Sequence, residues 1–405
     1  MGKNIVLVAT LDTKGTEAAF IRDIISTKRH QPIVVDSGVQ GQPKIRADIG
    51  RTQVAKAGGG SIKKIAAAND RGAAVAVMAN GVEKIVSRMY ARGEVDAIIS
   101  IGGSAGTTVG TQAMRALPVG VPKLMVSTLA SGDTRPYVGT KDVTMMYSVV
   151  DISGMNRVSR AVFANAANAI SAMATAKRTS KADRPLLGAT MFGVTTPCVE
   201  KVRSALETPE VGFELLVFHA TGTGGEAMES LINDGLITGV VDVTTTELAD
   251  ELVGGVLSAG PDRLEAAGNA GIPQVVCPGA TDMVNFGSIE TVPAKFKKRL
   301  FHIHNPTVTL MRTTPAENKK LGEITASKLN KAKGPAAAVI PLQGVSQIDA
   351  PGYSFHAPKA DKAYRDAFMK TINEKKVLVK EVDANINDDV FAAEVVATFL
   401  EISAP

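Results

Sequence analysis

The segment Asp96-Ala-Ile-Ile-Ser-Ile-Gly-Gly-Ser-Ala-Gly-Thr-Thr108 decides the fold. Its isoleucine-rich run reads as a buried strand, and three glycines carry it straight into a helical pattern over Val109–Leu117. Strands alternating with helices in this way build parallel sheets covered on both faces. Towards the N-terminus, Ile5–Ala9 is a β-branched strand, Thr16–Ser26 repeats apolar residues at helical spacing, and Pro32–Val35 is a second strand that ends at Asp36-Ser-Gly38. On the other side, strands are expected at Lys123–Ser127 and Val143–Val150, followed by an Ala-rich buried helix over Ala161–Ala176. The charged stretch Lys177–Pro185 reads as a linker.

Beyond that linker the pattern restarts with a strand at Leu186–Met191, a helix at Pro197–Leu206 and a strand at Phe213–Phe218. The spacing from Ile5 to Val35 equals that from Leu187 to Val217, as a divergent duplication or stereotyped α/β units would both give. Further strands are expected at Gly239–Val243, Gln274–Cys277, Val308–Met311, Ala336–Ile340 and Val377–Val379, and a last helix over Asp388–Leu400. The expected fold is therefore α/β: two doubly wound, Rossmann-like parallel-sheet domains, residues 1–180 and 185–405, with a cleft between them.

Composition agrees with this and narrows the function classes. The 405 residues are 45% hydrophobic and 21% charged, an ordinary globular balance that excludes disordered, collagenous and coiled-coil chains. The 45 Lys and Arg against 40 Asp and Glu are scattered, which suits small anionic ligands and does not argue for nucleic acid. Cys198 and Cys277 are the only cysteines, too few for a disulfide framework or a four-cysteine zinc site, so a reducing cytoplasm is the simplest location. Neither a signal sequence nor a membrane span is read. Cys198, at a helix start, reads as a passive, partly buried thiol in preference to a nucleophile.

The Gly102, Gly103, Ser104, Gly106, Thr107, Thr108 loop has a strand before it and a helix after it, the context in which unpaired amides of a first helical turn face an anion. A tight turn with no ligand is the competing reading. The loops after the first two strands, carrying Asp12, Thr13 and Lys14 and then Asp36 and Gly38, converge on the same sheet edge. Asp36 is placed to accept a ribose hydroxyl and Lys14 to neutralise phosphate, while Asp12 reads equally well as a helix N-cap. Asp133 and Arg135 close the rim. In the second half, Thr221, Gly222, Thr223, Gly224 and Gly225 form a comparable cradle for a substrate anion, with Arg312 as a further anion-binding side chain. His219, Asp242, Asp282, His302 and His304 are the acid, base or metal-ligand candidates, His302 and His304 pointing to one side of an extended segment. Thr314, Pro315 and Glu317 spell a helix start with a capping box.

Four separated strings, Val8–Glu17, Gly102–Thr108, His219–Gly225 and Arg299–Arg312, together resemble an uncharacterised microbial family related to the N-terminal ATP-binding region of the tomato mosaic virus resistance protein. The resemblance implies two α/β domains that bind ATP and form dimers, with a TIM-barrel-like segment as a separately encoded partner. It does not carry over the antiviral role of the plant protein. The leading expectation is an enzyme that holds ATP, with Mg²⁺, in its first domain and presents His and Asp residues of the second to a small anionic metabolite, for phosphoryl or adenylyl transfer or ligation. A non-catalytic, nucleotide-responsive binding module and a metal-assisted enzyme built on the His/Asp cluster are the alternatives.

Overall fold

A computed structural model describes residues 2–176 and 184–404. The chain divides into two compact units, Met1–Thr179 and Ser180–Pro405. Of the linker read at 177–185, only Arg184 and Pro185 fall within the described residues.

Unit 1 is a five-stranded parallel sheet of β1 (Asn4–Ala9), β2 (Gln31–Asp36), β3 (Ala97–Gly102), β4 (Lys123–Ser127) and β5 (Thr144–Tyr147), in the order β2-β1-β3-β4-β5. The period-2 alternation of side chains explains why both faces are covered. Ile5, Leu7, Ile99 and Ile101 pack on the helices Leu11–Thr27 and Arg157–Thr175 through Ile21, Ile25, Phe163 and Ile170. Val6, Val8 and Ile98 face the opposite way, onto Met78, Val82 and Val86 of helix Arg71–Ala91 and Val109 and Met114 of helix Ser104–Arg115. A strand buried on both sides favours apolar residues, which is why β3 reads as an isoleucine-rich run whose one polar side chain, Ser100, is buried with a bond to Val8 C=O.

Unit 2 repeats the plan. Six parallel strands, β6 (Leu186–Met191), β7 (Glu214–His219), β8 (Gly239–Thr244), β9 (Gln274–Gly279), β13 (Ala336–Pro341) and β14 (Val377–Val382), stand in the order β14-β13-β9-β8-β6-β7. Counted from its own first strand this is the order of unit 1 with one strand added. A separate three-stranded antiparallel sheet, order β10-β12-β11, comprises β10 (Met283–Phe286), β11 (Phe301–Asn305) and β12 (Val308–Arg312). Val308–Met311, expected beside the parallel strands, therefore belongs to this small sheet: the two-residue turn at Pro306-Thr307 returns the chain as a hairpin, which a parallel pairing cannot do. No helix among the described residues is long and apolar enough to cross a membrane.

Candidate functional site

In unit 1, β1 and β3 are neighbours although the chain leaves them in opposite directions across the sheet, and this divergence opens a crevice at their carboxyl ends. A cavity of about 710 Å³ lies there. Its walls come from Thr10 and the first turn of helix Leu11–Thr27 (Asp12, Thr13, Lys14), the loop after β2 (Ser37, Val39, Gln40), the segment Gly102–Gly106 and the loop after β4 (Thr128, Leu129). Helix Arg71–Ala91 closes one side with Arg71, Ala74, Val75 and Met78.

Helix Ser104–Arg115 begins on this wall. Its N-cap is Gly103, which has no side chain to bond the first-turn amides, so the N–H groups of Ser104, Ala105 and Gly106 have no intrahelical acceptor. The neighbouring glycines have packing reasons to be glycine. A Cβ on Gly102 would stand 2.6 Å from Gly106 Cα, and one on Gly110 would stand 2.3 Å from Ser100 Oγ. Gly103 is different: its φ of −78° and ψ of −156° suit any residue, and a Cβ there would meet only Thr128 Oγ1, at 3.7 Å across the cavity wall. The fold does not require glycine at 103.

Asp12 does not cap the helix, for Thr10 occupies that position. Its Oδ2 accepts the N–H groups of Gln40 and Gly41, each at 3.1 Å, and its Oδ1 is buried without a hydrogen-bond partner among the described residues. Thr13 Oγ1 pairs with Thr10 Oγ1 at 2.8 Å, and Lys14 Nζ donates to the carbonyl of Ile152.

Five expected ligand residues are engaged by the fold instead. Asp36 is 1% exposed and off the cavity wall; its Oδ1 accepts from Leu11 N–H at 3.1 Å and Gly38 N–H at 2.8 Å, and burial, against those two bonds, raises its pKa. Gly38 is squeezed between carboxylates, since a Cβ there would lie 2.8 Å from Asp12 Oδ1 and 3.0 Å from Asp36 Oδ1. The Thr107 hydroxyl is buried, donating to Gly103 C=O at 2.8 Å and sharing a hydrogen bond with Ser127 Oγ at 2.6 Å, while Thr108 bonds Ser104 C=O. Asp133 lies off the wall in a bidentate pair with Arg135, whose hydrogen bonds hold the carboxyl down at about 2. Arg71 and Asn69, which do line the cavity, were not read from sequence. The Asn69-Asp70 pair marks a helix start, Asp70 Oδ1 accepting from Ala73 N–H, but no local pattern says which sheet edge that helix reaches.

Unit 2 contradicts the second cradle more directly. The amides of Gly222 and Gly225 already hold an anion, Glu247 Oε1, at 2.8 and 3.1 Å. Cβ atoms on Gly224 and Gly225 would stand 1.8 Å from His219 C=O and 2.2 Å from Glu247 Oε2, so these glycines serve packing. Thr221 Oγ1 bonds His219 C=O, and Thr223 opens the helix Thr223–Asn233. Glu247 Oε2 is in turn 2.6 Å from the fully buried Arg263 Nε, whose two Nη atoms grip Asp242 at 2.6 and 2.8 Å. Asp242 is thus half of a buried ion pair, and faces no substrate.

Arg312 is likewise spent. Its guanidinium bonds Phe355 C=O, Asp349 and Asp361. Asp282 beside it is fully buried, its Oδ2 bonded to Ser346 Oγ at 2.8 Å, and burial raises its pKa to about 6 against the opposing charge of Arg312. His219 lies tilted against Phe192 with ring centroids 5.3 Å apart, His302 Nδ1 lies 3.2 Å from Ser354 Oγ, and His304 is exposed on β11. Among the described residues no group of three or more His, Cys, Asp or Glu is placed to hold a metal ion, so the five candidates of unit 2 are not brought together. Cys198 is buried, which pushes its thiol up to about 12. Thr314 does cap its helix, its Oγ1 accepting from Glu317 N–H at 3.2 Å while Glu317 Oε2 accepts from Thr314 N–H.

Comparison with known proteins places this architecture. Residues 3–179 match the "Uncharacterised protein family (UPF0261) N-terminal domain" and residues 184–403 its C-terminal domain. A UPF0261 protein of Clostridium tetani is 55% identical over 97% of both chains, and one of Rhizobium meliloti is 44% identical over 100% of both. The ToMV resistance protein Tm-1(GCR237) of Solanum lycopersicum is 44% identical over 83% of this chain and 45% of its own. Among solved structures, a UDP-N-acetylglucosamine 2-epimerase from Rickettsia bellii aligns over 68% of this chain and 78% of its own, at 10% identity and a TM-score of 0.23. The glycosyltransferase SnogD from Streptomyces nogalater aligns over 98% and 99%, at 10% identity and a TM-score of 0.20.

Proposed function

The chain belongs to the UPF0261 family, and from that premise we propose that unit 1 binds a nucleotide, with ATP the first candidate, in the crevice between β1 and β3. The phosphates lie against the amides of Ser104, Ala105 and Gly106, where the positive end of a helix and unpaired donors favour an anion. The base lies along the apolar wall of Val39, Val75, Met78 and Val109. The observation that carries this reading is the uncapped first turn of helix Ser104–Arg115 on the cavity wall, where N-cap Gly103 has no side chain to occupy the amides of Ser104, Ala105 and Gly106.

Mg²⁺ fits the same wall. Asp12 has one oxygen fixed by two amides and the other without a partner, and a magnesium ion carried on phosphates needs only one or two carboxylates from the protein. When bound, the ion neutralises phosphate charge. Phosphoryl or adenylyl transfer, or ligation, to a small anionic substrate is the reaction class such a site serves, chiefly by positioning and charge stabilisation.

A thermal-shift panel of nucleotides, sugar phosphates and organic acids, with and without Mg²⁺, tests the binding. A ligand at a hundred times its Kd stabilises by about 2.7 kcal/mol, which a melting curve resolves. The expected result is a shift with ATP that depends on Mg²⁺ and is lost in Asp12→Asn. A panel in which organic acids respond and nucleotides do not would remove the reading.

One observation supports a second reading, a nucleotide-responsive binding module without turnover. Asp242, Arg312, one oxygen of Asp282 and the amides of Gly222 and Gly225 are bonded within unit 2, which leaves little for a reacting substrate. Tight ATP binding with no product after hours of incubation would select it over the enzyme.

A further inference from the structure

From Thr291 to Ala316 the chain contains no aspartate or glutamate, yet it carries Lys295, Lys297, Lys298, Arg299 and Arg312. Arg312 is buried and Arg299 is bound by Glu317 at 2.7 Å, so the open positive charge is that of the three lysines, all exposed. They immediately precede β11, the edge strand of the small antiparallel sheet, whose sole strand partner among the described residues is β12.

The free edge of β11 has a definite chemistry. Leu300 C=O accepts from Arg312 N–H at 2.9 Å, and Phe301 pairs with Met311. In an antiparallel ladder hydrogen-bonded pairs alternate with pairs whose backbone groups point outward, so the N–H and C=O groups of Phe301 and Ile303 face away from β12. Two apolar side chains along this edge are uncovered, Leu300 being 52% and Ile303 54% exposed, beside the exposed His304 and Asn305. Next to the start of the strand lies an open groove floored by Leu252, Val253 and Phe296 and rimmed by Lys295 and Lys320. Proteins usually blunt such edges with bulges and proline. Here the register shift between Ile303 and Asn305, and Pro306 beyond it, close the far end only. The half beside the lysines stays open.

We propose that β11 is a docking edge for an extended, acidic segment of a protein partner, which adds to the small sheet as a fourth strand. Main-chain bonds to Phe301 and Ile303 hold the segment, Leu300 on one face of the sheet and Ile303 on the other pack against its side chains, and Lys295, Lys297 and Lys298 select acidic sequence and steer its approach. This site is independent of the nucleotide reading of unit 1.

The test uses the full chain and a fluorescein-labelled peptide of alternating Glu and Val, about eight residues long, to span the strand. Anisotropy should report saturable binding that weakens as salt is raised. Reversing Lys297→Glu together with Lys298→Glu should weaken it roughly tenfold or more, as should Ile303→Pro, which removes an outward N–H that the hairpin does not use. The same peptide N-methylated at every residue has no N–H group to give to the ladder on either edge and should not bind, a control that needs no variant to fold. Absence of binding to the wild type would overturn the proposal. So would affinity unchanged by N-methylation or by the lysine reversals, and so would an RNA homopolymer that competes equally in wild type and Ile303→Pro, since that would assign the lysines to polyanion capture.

Discussion

At Gly103 a methyl group has room, whereas at Gly225 it would lie 2.2 Å from Glu247 Oε2. Gly103→Ala should therefore fold, at a cost of about 0.5–1 kcal/mol because alanine is a poorer N-cap than glycine, while the methyl group added to the cavity wall weakens nucleotide binding at least about tenfold. Gly225→Ala should cost about 2–3 kcal/mol, because it pushes a buried carboxylate off its amides and off Arg263. Urea melts of both variants, with a binding titration of the first, check the pair. Arg263→Met should cost about 3–5 kcal/mol by leaving Asp242 and Glu247 buried without their counter-charge. Equal stability of that variant and the wild type would show that the network does not hold the 219–226 turn. Sequence could flag both glycine loops, since glycine before a helix is a local signal. It could not tell an open cradle from a filled one, because the filling carboxylate, Glu247, lies over twenty residues away and reaches the turn only through the sheet. Thr107 was misread for a related reason: at the fourth position of its helix a side chain turns inward, towards Ser127, away from the amides it sits beside.

The strands themselves were plain in the sequence wherever burial on both faces demands mostly apolar residues, as in β3 and β8, whose few polar residues are buried with partners, Ser100 on Val8 C=O and Asp242 on Arg263. The small sheet was harder. β10, Met283-Val-Asn-Phe286, is four residues long with a buried asparagine held by Asp250, and so short a mixed run has no period to read. Arg312, at the end of β12, ties that strand to the loop after β13 through Asp349 and to helix Pro358–Thr371 through Asp361. Burial raises Asp361 to about 7, Asp349 to about 6 and Asp282 to about 6, with carboxylate neighbours adding to the rise and Arg312 opposing it. Each carboxyl thus binds its proton more tightly folded than unfolded. The stability this brings is complete below the ordinary carboxylate range and is lost as pH rises through about 6 to 7. Thermal melts should accordingly show a lower Tm at pH 8 than at pH 5.5, with a smaller difference in Asp361→Asn. A Tm that rises over that interval and is indifferent to the substitution would contradict the assignment. The capping box makes a simpler claim at this scale: Thr314→Ala should cost about 1 kcal/mol in a denaturant melt.

Over the whole molecule, the restart of the strand and helix pattern after Pro185 marks the second of two α/β units, and the two share a strand order. The position of the crevice in unit 1 was legible for the same reason, since topology alone brings the loops after β1 and β3 to one edge. Its furnishing was legible only in part: Asp12, Lys14 and Gly102–Gly106 are on the wall, while Asp36, Thr107 and Asp133 are consumed by neighbours that a linear reading does not see. The central claim is that the crevice of unit 1, and not the glycine turn of unit 2, receives the nucleotide. Amide hydrogen exchange of the full chain with and without ATP and Mg²⁺ tests it most directly. The account predicts slowed exchange in the segments holding residues 10–15 and 102–108 with no change at 219–226; protection at 219–226 instead, or none anywhere at saturating ATP, would contradict it.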